Sequence, residues 1–170
     1  MLILLTSKGG MFFSQVRVGK DRKEFNLLKF RTMKPGSDKL GQLTVGASDS
    51  RITGIGKILR KFKLDEIPQL LNVLKGEMSI VGPRPEVPKY VNLYSQEQLK
   101  VLSVRPGLTD LASIEYINEN EILGKSDNPE KEYIKVIMPK KLELNIQYIE
   151  NQSFFGDIGL IFRTFGKILK

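Results

Sequence analysis

Residues 64–85 read LDEIPQLLNVLKGEMSIVGPRP. Two adjacent carboxylates, Asp65 and Glu66, open the stretch, and Ile67, Leu70, Leu71 and Leu74 follow at helical spacing. This pattern predicts a helix with Asp65 at its N-cap and Pro68 in the first turn, where a missing N–H is harmless. Gly76 is placed to end it. Ser79 to Val81 reads as a short strand leading into the turn Gly82-Pro83-Arg84-Pro85. Two prolines fix their own φ angles on either side of Arg84, so its guanidinium is aimed from stiff backbone, and its fork suits phosphate oxygens. Acid, apolar stripe and base in one short run are the layout of a site that handles a metal and a phosphate. The carboxylate pair also has a plain structural reading, an Asp cap and a first-turn Glu that stabilise a helix by about 1 kcal/mol. In the functional reading, the field at the helix start keeps both groups ionised, leaving one to attack while the other binds a cation.

Upstream, Ile55, Ile58, Leu59 and Phe62 recur at helical spacing within residues 54–63, with Lys57, Arg60, Lys61 and Lys63 largely on the other side. Short apolar segments over residues 12–33, with a turn at Gly19-Lys20-Asp21, predict a β-hairpin. Residues 34–50 are rich in Gly, Ser and Asp and read as a mobile surface loop of the kind that closes over substrates. Downstream, residues 86–101 read as a helix, 105–108 as a turn, and the acidic stretch 113–132 as a solvated loop. Phe154, Phe155, Ile158, Ile161, Phe162, Phe165, Ile168 and Leu169 then mark residues 153–170 as an amphipathic C-terminal helix with Arg163, Lys167 and Lys170 near its end. Such a helix serves either as a core element or at a membrane surface.

With 170 residues, the chain is long enough for one domain with a core and short for two, so residues 1–170 read as a single domain. A hydrophobic fraction of 41% and a charged fraction of 27% argue against disorder. The absence of Cys and His excludes disulfides, thiolate nucleophiles, zinc–thiolate sites and the usual neutral-pH base. Chemistry must therefore run on carboxylates, Lys, Arg, hydroxyls or a hard cation held by oxygen, of which Mg²⁺ is the natural choice beside phosphates. Charge is uneven: residues 1–64 hold 14 Lys and Arg against 4 Asp and Glu, a balance of +10, whereas residues 65–170 hold 13 against 15, a balance of −2. That asymmetry points to an anionic partner of the N-terminal part. Met1 to Leu5 are apolar, far short of the roughly 20 residues that span a bilayer.

Further blocks accompany the opening run: KFRTM at residues 29–33, DxRIT at 49–53 and RPGxT at 105–109. Together with the order of residues 64–85, they resemble the catalytic core of the bacterial sugar transferases, small monotopic polyprenyl-phosphate phosphoglycosyl transferases. Specific motifs carry the resemblance from Thr6 to about Ser113, and the C-terminal helices follow in outline. It implies an α+β fold, mostly helical, with a small hairpin, short strands and amphipathic helices facing a membrane. It also implies transfer of a sugar 1-phosphate from a UDP-sugar to undecaprenyl phosphate with release of UMP, the first membrane step of a surface glycan.

Carried over by position, the resemblance makes Asp65 the nucleophile that forms an aspartyl phosphosugar and Glu66 the Mg²⁺ ligand. Arg84, Arg60, Lys29, Arg31 and Arg105 become phosphate or nucleotide contacts. The implied partners are a UDP-sugar, a polyprenyl phosphate and an anionic membrane surface rather than nucleic acid, at the cytoplasmic face of the bacterial inner membrane. Residues 2–13 resemble the exit of the family's N-terminal membrane hairpin, so the chain is expected to begin where that hairpin ends, the anchor having been removed or never encoded. Asp110-Leu111-Ala112-Ser113 departs from the usual Gly-Leu-Ala-Gln, which bears on sugar or nucleotide contacts there. The competing reading is a catalytically inactive basic nucleotide-binding or membrane-surface module in which Asp65 only caps a helix.

Overall fold

The hairpin is built by β1 (Phe12–Val18) and β2 (Glu24–Phe30), antiparallel with Phe12 opposite Phe30 and Val18 opposite Glu24. The computed structural model describes residues 3, 9–37, 43, 45 and 49–168. Within the expected hairpin exit over 2–13, residues 2 and 4–8 fall outside these, as do most of the expected loop between 38 and 48 and the terminal Leu169 and Lys170. Alternation along β1 turns Phe12 and Val16 outward and keeps Gln15 and Arg17 partly buried, so the strand aims polar groups inward.

Thr53 caps α1 (Gly54–Lys61) by accepting from the Gly56 N–H at 3.0 Å. A Cβ on Gly56 would lie 2.1 Å from the Thr32 carbonyl oxygen, so only glycine lets α1 approach the end of the hairpin this closely. The helix expected to start at Asp65 is instead divided. Lys63 adopts a left-handed conformation, Leu64–Glu66 form a 3₁₀ turn, and α2 covers only Gln69–Leu74. Pro68 explains the break, because it has no N–H to bond the Leu64 carbonyl, which the Ile67 N–H takes at 3.3 Å instead. Asp65 therefore caps neither the 3₁₀ turn nor α2. Gly76 ends the segment with φ of +76°, as expected.

Strand β3 (Ser79–Val81) pairs in parallel with β4 (Gly107–Thr109), a strand where the sequence predicted only a turn. The expected helix over 86–101 is also corrected. It forms one turn, α3 (Pro88–Val91), and resumes as a 3₁₀ segment at Gln98–Ser103. Ser95 and Gln98 divide it with a reciprocal box: the Ser95 N–H donates to Gln98 Oε1 at 2.9 Å, and the Gln98 N–H to Ser95 Oγ at 3.3 Å.

The acidic stretch is folded rather than a loop. It comprises α4 (Leu111–Glu115), α5 (Glu119–Gly124) and α6 (Pro129–Glu132), started in part by caps from Asp110 and Asn128 and held by buried Ile114 and Leu123. A π-helical turn at Tyr133–Ile137 leads into α7 (Met138–Glu150), and α8 (Phe154–Ile168) follows.

Val87, Tyr90, Val101, Leu123, Tyr133, Ile137, Met138 and Leu142 form the main core. Val81, Ile114, Tyr148 and Leu160 form a second cluster that seats α8. Fully buried Asn72 ties α2 to β2, accepting from the Leu28 N–H at 3.1 Å and donating to the Asn26 carbonyl at 2.9 Å and to Glu77 Oε2 at 2.7 Å. The apolar stripes lie outside this core. Ile58, Phe62, Leu64, Ile67, Leu70, Leu71 and Leu74 are exposed on the α1–α2 side, and Phe154, Phe155, Phe162 and Phe165 on α8. No helix among the described residues is long and apolar enough to cross a membrane.

Candidate active site

β2, the 3₁₀ turn at Leu64–Glu66 and the rigid Pro83-Arg84-Pro85 turn bring their charged residues into one cleft of about 310 Å³. Glu66 holds its centre. Lys29 Nζ lies 3.3 Å from Glu66 Oε1, while Arg84 donates one arm to that same oxygen and the other to Oε2 at 3.3 Å. Burial alone would raise the Glu66 pKa, but the charges of Arg84 and Lys29, with Lys63 behind them, hold it well below the usual carboxylate range. In return Glu66 raises the Arg84 pKa against the cost of burial. Lys29 is pulled down to about 8, chiefly by burial, which Glu66 only partly offsets while Arg84 and Arg17 repel it.

Asp65 differs sharply from its neighbour. It is 6% exposed and lines the cleft, but it makes no side-chain hydrogen bond or ion pair among the described residues. Its oxygens are thus available to a ligand. Arg60 enters from α1, its Nε donating to Thr32 Oγ1 at 2.9 Å. Burial weakens the Arg60 charge, and Asp65 is the first group to favour it.

A second layer braces the Pro83–Pro85 turn. Arg17 donates to the Pro85 carbonyl at 3.2 Å and to Glu86 Oε1 at 3.1 Å, the Glu86 side chain accepts from the Val87 N–H at 2.7 Å, and Tyr133 Oη donates to Glu86 Oε2. Tyr133 stands beside Tyr90, ring centroids 4.9 Å apart. Arg17, Glu86 and Tyr133 are not among the residues expected from the sequence. Signals for the first two were present, in Glu86 continuing the Pro-Arg-Pro turn and in the polar phase of β1.

Five expected residues, Lys29, Arg60, Asp65, Glu66 and Arg84, meet in the cleft. Arg31 and Arg105 are not part of its lining. Arg31 donates to the Gly10 and Phe12 carbonyls at 3.1 and 2.9 Å, and Arg105 is exposed just before β4. Among the described residues no three carboxylates converge. One or two carboxylates completed by substrate phosphates is, however, the usual Mg²⁺ arrangement, and the free oxygens of Asp65 beside ionised Glu66 suit it.

The family model described as "Bacterial sugar transferase" matches residues 1–170. The chain is 40% identical over 159 residues to an uncharacterized sugar transferase, EpsL, of Bacillus subtilis, covering 94% of this chain and 70% of that one. It is 36% identical to a UDP-N-acetylgalactosamine-undecaprenyl-phosphate N-acetylgalactosaminephosphotransferase of Aeromonas hydrophila, covering 99% of this chain and 38% of the relative. It is 40% identical to a UDP-glucose:undecaprenyl-phosphate glucose-1-phosphate transferase of Klebsiella pneumoniae, covering 94% and 32%. The chain therefore spans only about a third of the length of the last two relatives.

Proposed function

Because this chain belongs to the bacterial sugar transferase family, we propose that it moves a sugar 1-phosphate from a UDP-sugar to a polyprenyl phosphate, such as undecaprenyl phosphate, through a covalent intermediate on Asp65. The observation that carries this reading is the contrast between neighbouring carboxylates: Glu66 is fixed by Arg84 and Lys29, while Asp65 lines the same cleft with no side-chain hydrogen bond or ion pair among the described residues.

An Asp65 oxygen attacks the phosphorus that bears the sugar. The P–O bond to the leaving nucleotide breaks, and UMP departs with the electron pair. The polyprenyl phosphate oxygen then attacks the same phosphorus and expels the Asp65 carboxylate. Splitting one phosphoryl transfer into two displacements is the usual advantage of a carboxylate nucleophile, and it makes the kinetics ping-pong. Arg84, Lys29 and Arg60 attract the diphosphate, offsetting its repulsion from the two carboxylates. Glu66, with Asp65 adjacent, would hold Mg²⁺, which when bound neutralises phosphate oxygens.

The exposed apolar faces of α1, α2 and α8, with the basic N-terminal part, suit a peripheral or monotopic seat on an anionic membrane, on the cytoplasmic face where UDP-sugars are made. The test is release of UMP from UDP-sugars supplied with Mg²⁺ and undecaprenyl phosphate, comparing wild type with Asp65→Asn. Release from wild type that is lost in the variant supports the reading. Nucleotide binding without release by wild type indicates an inactive binding module.

A further inference from the structure

The motifs that place the phosphates all lie before residue 110, yet α4, α5 and α7 build another part of the cleft lining, and its chemistry is different. The first part is rich in cations. On the second, Lys141 is paired with Glu119 at 2.6 Å, leaving no net charge, and Lys141 Nζ lies 5.8 Å from the Tyr133 ring centre. Lys141 is thereby linked through Tyr133 and Glu86 to the turn that carries Arg84.

Asn145 follows Lys141 by four residues on α7, on the same helical face, and also lines the cleft. It is 4% exposed, and its amide makes no hydrogen bond among the described residues; Oδ1 is buried outright without a partner. Buried amides are ordinarily satisfied; with Oδ1 covered, the Nδ2 end of Asn145 is the one that can donate to a group entering the cleft. A diphosphate belongs with the wall where Arg17, Lys29, Arg60, Lys63 and Arg84 outnumber the carboxylates. Neutral hydroxyl and acylamino groups belong with an amide and a closed ion pair.

We propose that Asn145, flanked by the Glu119–Lys141 pair, forms the subsite that reads the sugar of the nucleotide sugar, through hydrogen bonds to ring hydroxyls or to a 2-acetamido group. The assignment rests on the transferase reading above. The three residues hold the sugar's orientation relative to Asp65 and take no part in bond breaking. Discrimination arises because a sugar that lacks the matching group leaves the amide and the pair unanswered inside the cleft.

The experiment compares UDP-glucose, UDP-galactose, UDP-N-acetylglucosamine and UDP-N-acetylgalactosamine as donors for wild type, Asn145→Ala and Lys141→Met, with UDP as a competitive inhibitor and thermal melting as the check on folding. The proposal expects each variant that melts like wild type to lose about tenfold or more in kcat/KM for the preferred donor and to lose ranking among the four, while the UDP inhibition constant stays unchanged. An unchanged ranking in both variants overturns it, as does an equal loss of UDP affinity, which would assign this wall to the nucleoside. Wild type that neither turns over nor binds any of the four donors contradicts the transferase reading itself, an outcome distinct from either.

Discussion

Arg84 closes on Glu66 with both arms of its guanidinium, so the arginine expected to meet phosphate is also the clamp on the neighbouring carboxylate. The two roles are compatible, since the guanidinium has five N–H donors and two of its nitrogens already engage Glu66. Lysine retains the charge but not the fork. Arg84→Lys should therefore reduce kcat by about 10²-fold with a smaller change in KM. Steady-state kinetics with a UDP-sugar check this, and an unchanged kcat would remove Arg84 from the reaction.

Lys29 provides a pH signature. Folding lowers its pKa from 10.5 to about 8, so between those values the native protein binds fewer protons than the unfolded chain, and this group's contribution to stability rises with pH. Substrate binding is expected to move oppositely, because the cation proposed to face the diphosphate is lost as pH rises through about 8. KM for the UDP-sugar should climb above pH 8 in wild type and much less in Lys29→Arg, measured at constant ionic strength.

Tyr133 tests the brace behind the Arg84 turn. Tyr133→Phe removes the donor to Glu86 Oε2 in a buried setting, which should lower stability by about 1–2 kcal/mol. Denaturant unfolding reads this as a lower midpoint at unchanged slope. A midpoint equal to wild type would mean that Glu86 is held by Arg17 and the Val87 N–H alone.

These relationships divide by how far apart in sequence the partners lie. The hairpin, β3, the Gly76 stop and the C-terminal helix are local patterns, legible as periodicity and turn chemistry. The convergence of Asp65, Glu66 and Arg84 was legible because all three fall within one short run. Arg17 with Glu86, and Glu86 with Tyr133, are contacts between segments far apart in the chain, which no spacing rule connects. The helix expected over residues 86–101 failed for a local reason that was available: Ser95 and Gln98 have capping-box spacing, so they start a new segment rather than continue one. The acidic stretch misled because its charges concealed Ile114 and Leu123, two buried side chains that anchor short helices. Asp65 has the sequence signature of a helix cap. Pro68 converted that turn to 3₁₀ and left the carboxylate uncommitted.

The exposed phenylalanines of α8 make a separate prediction about membranes. Phe155 and Phe162 are 83% and 71% exposed, and aromatic surface of this kind is stabilised by transfer out of water. Phe155→Ser combined with Phe162→Ser should reduce partitioning onto phosphatidylglycerol-containing vesicles by about tenfold or more, without lowering the melting temperature. Sedimentation with vesicles measures it. Equal partitioning would place the lipid contact elsewhere, on α1 and α2.

The central claim is that Asp65 becomes covalently bonded to the phosphosugar. The most direct test mixes the protein with a UDP-sugar and Mg²⁺ in the absence of polyprenyl phosphate, quenches in acid, and measures intact and peptide masses. Wild type should gain one sugar phosphate on the peptide containing Asp65, with UMP released in equal amount, and Asp65→Asn should show neither, with transfer reduced on the order of 10³-fold or more. Full transfer by Asp65→Asn, or an adduct on any other residue, would contradict the account.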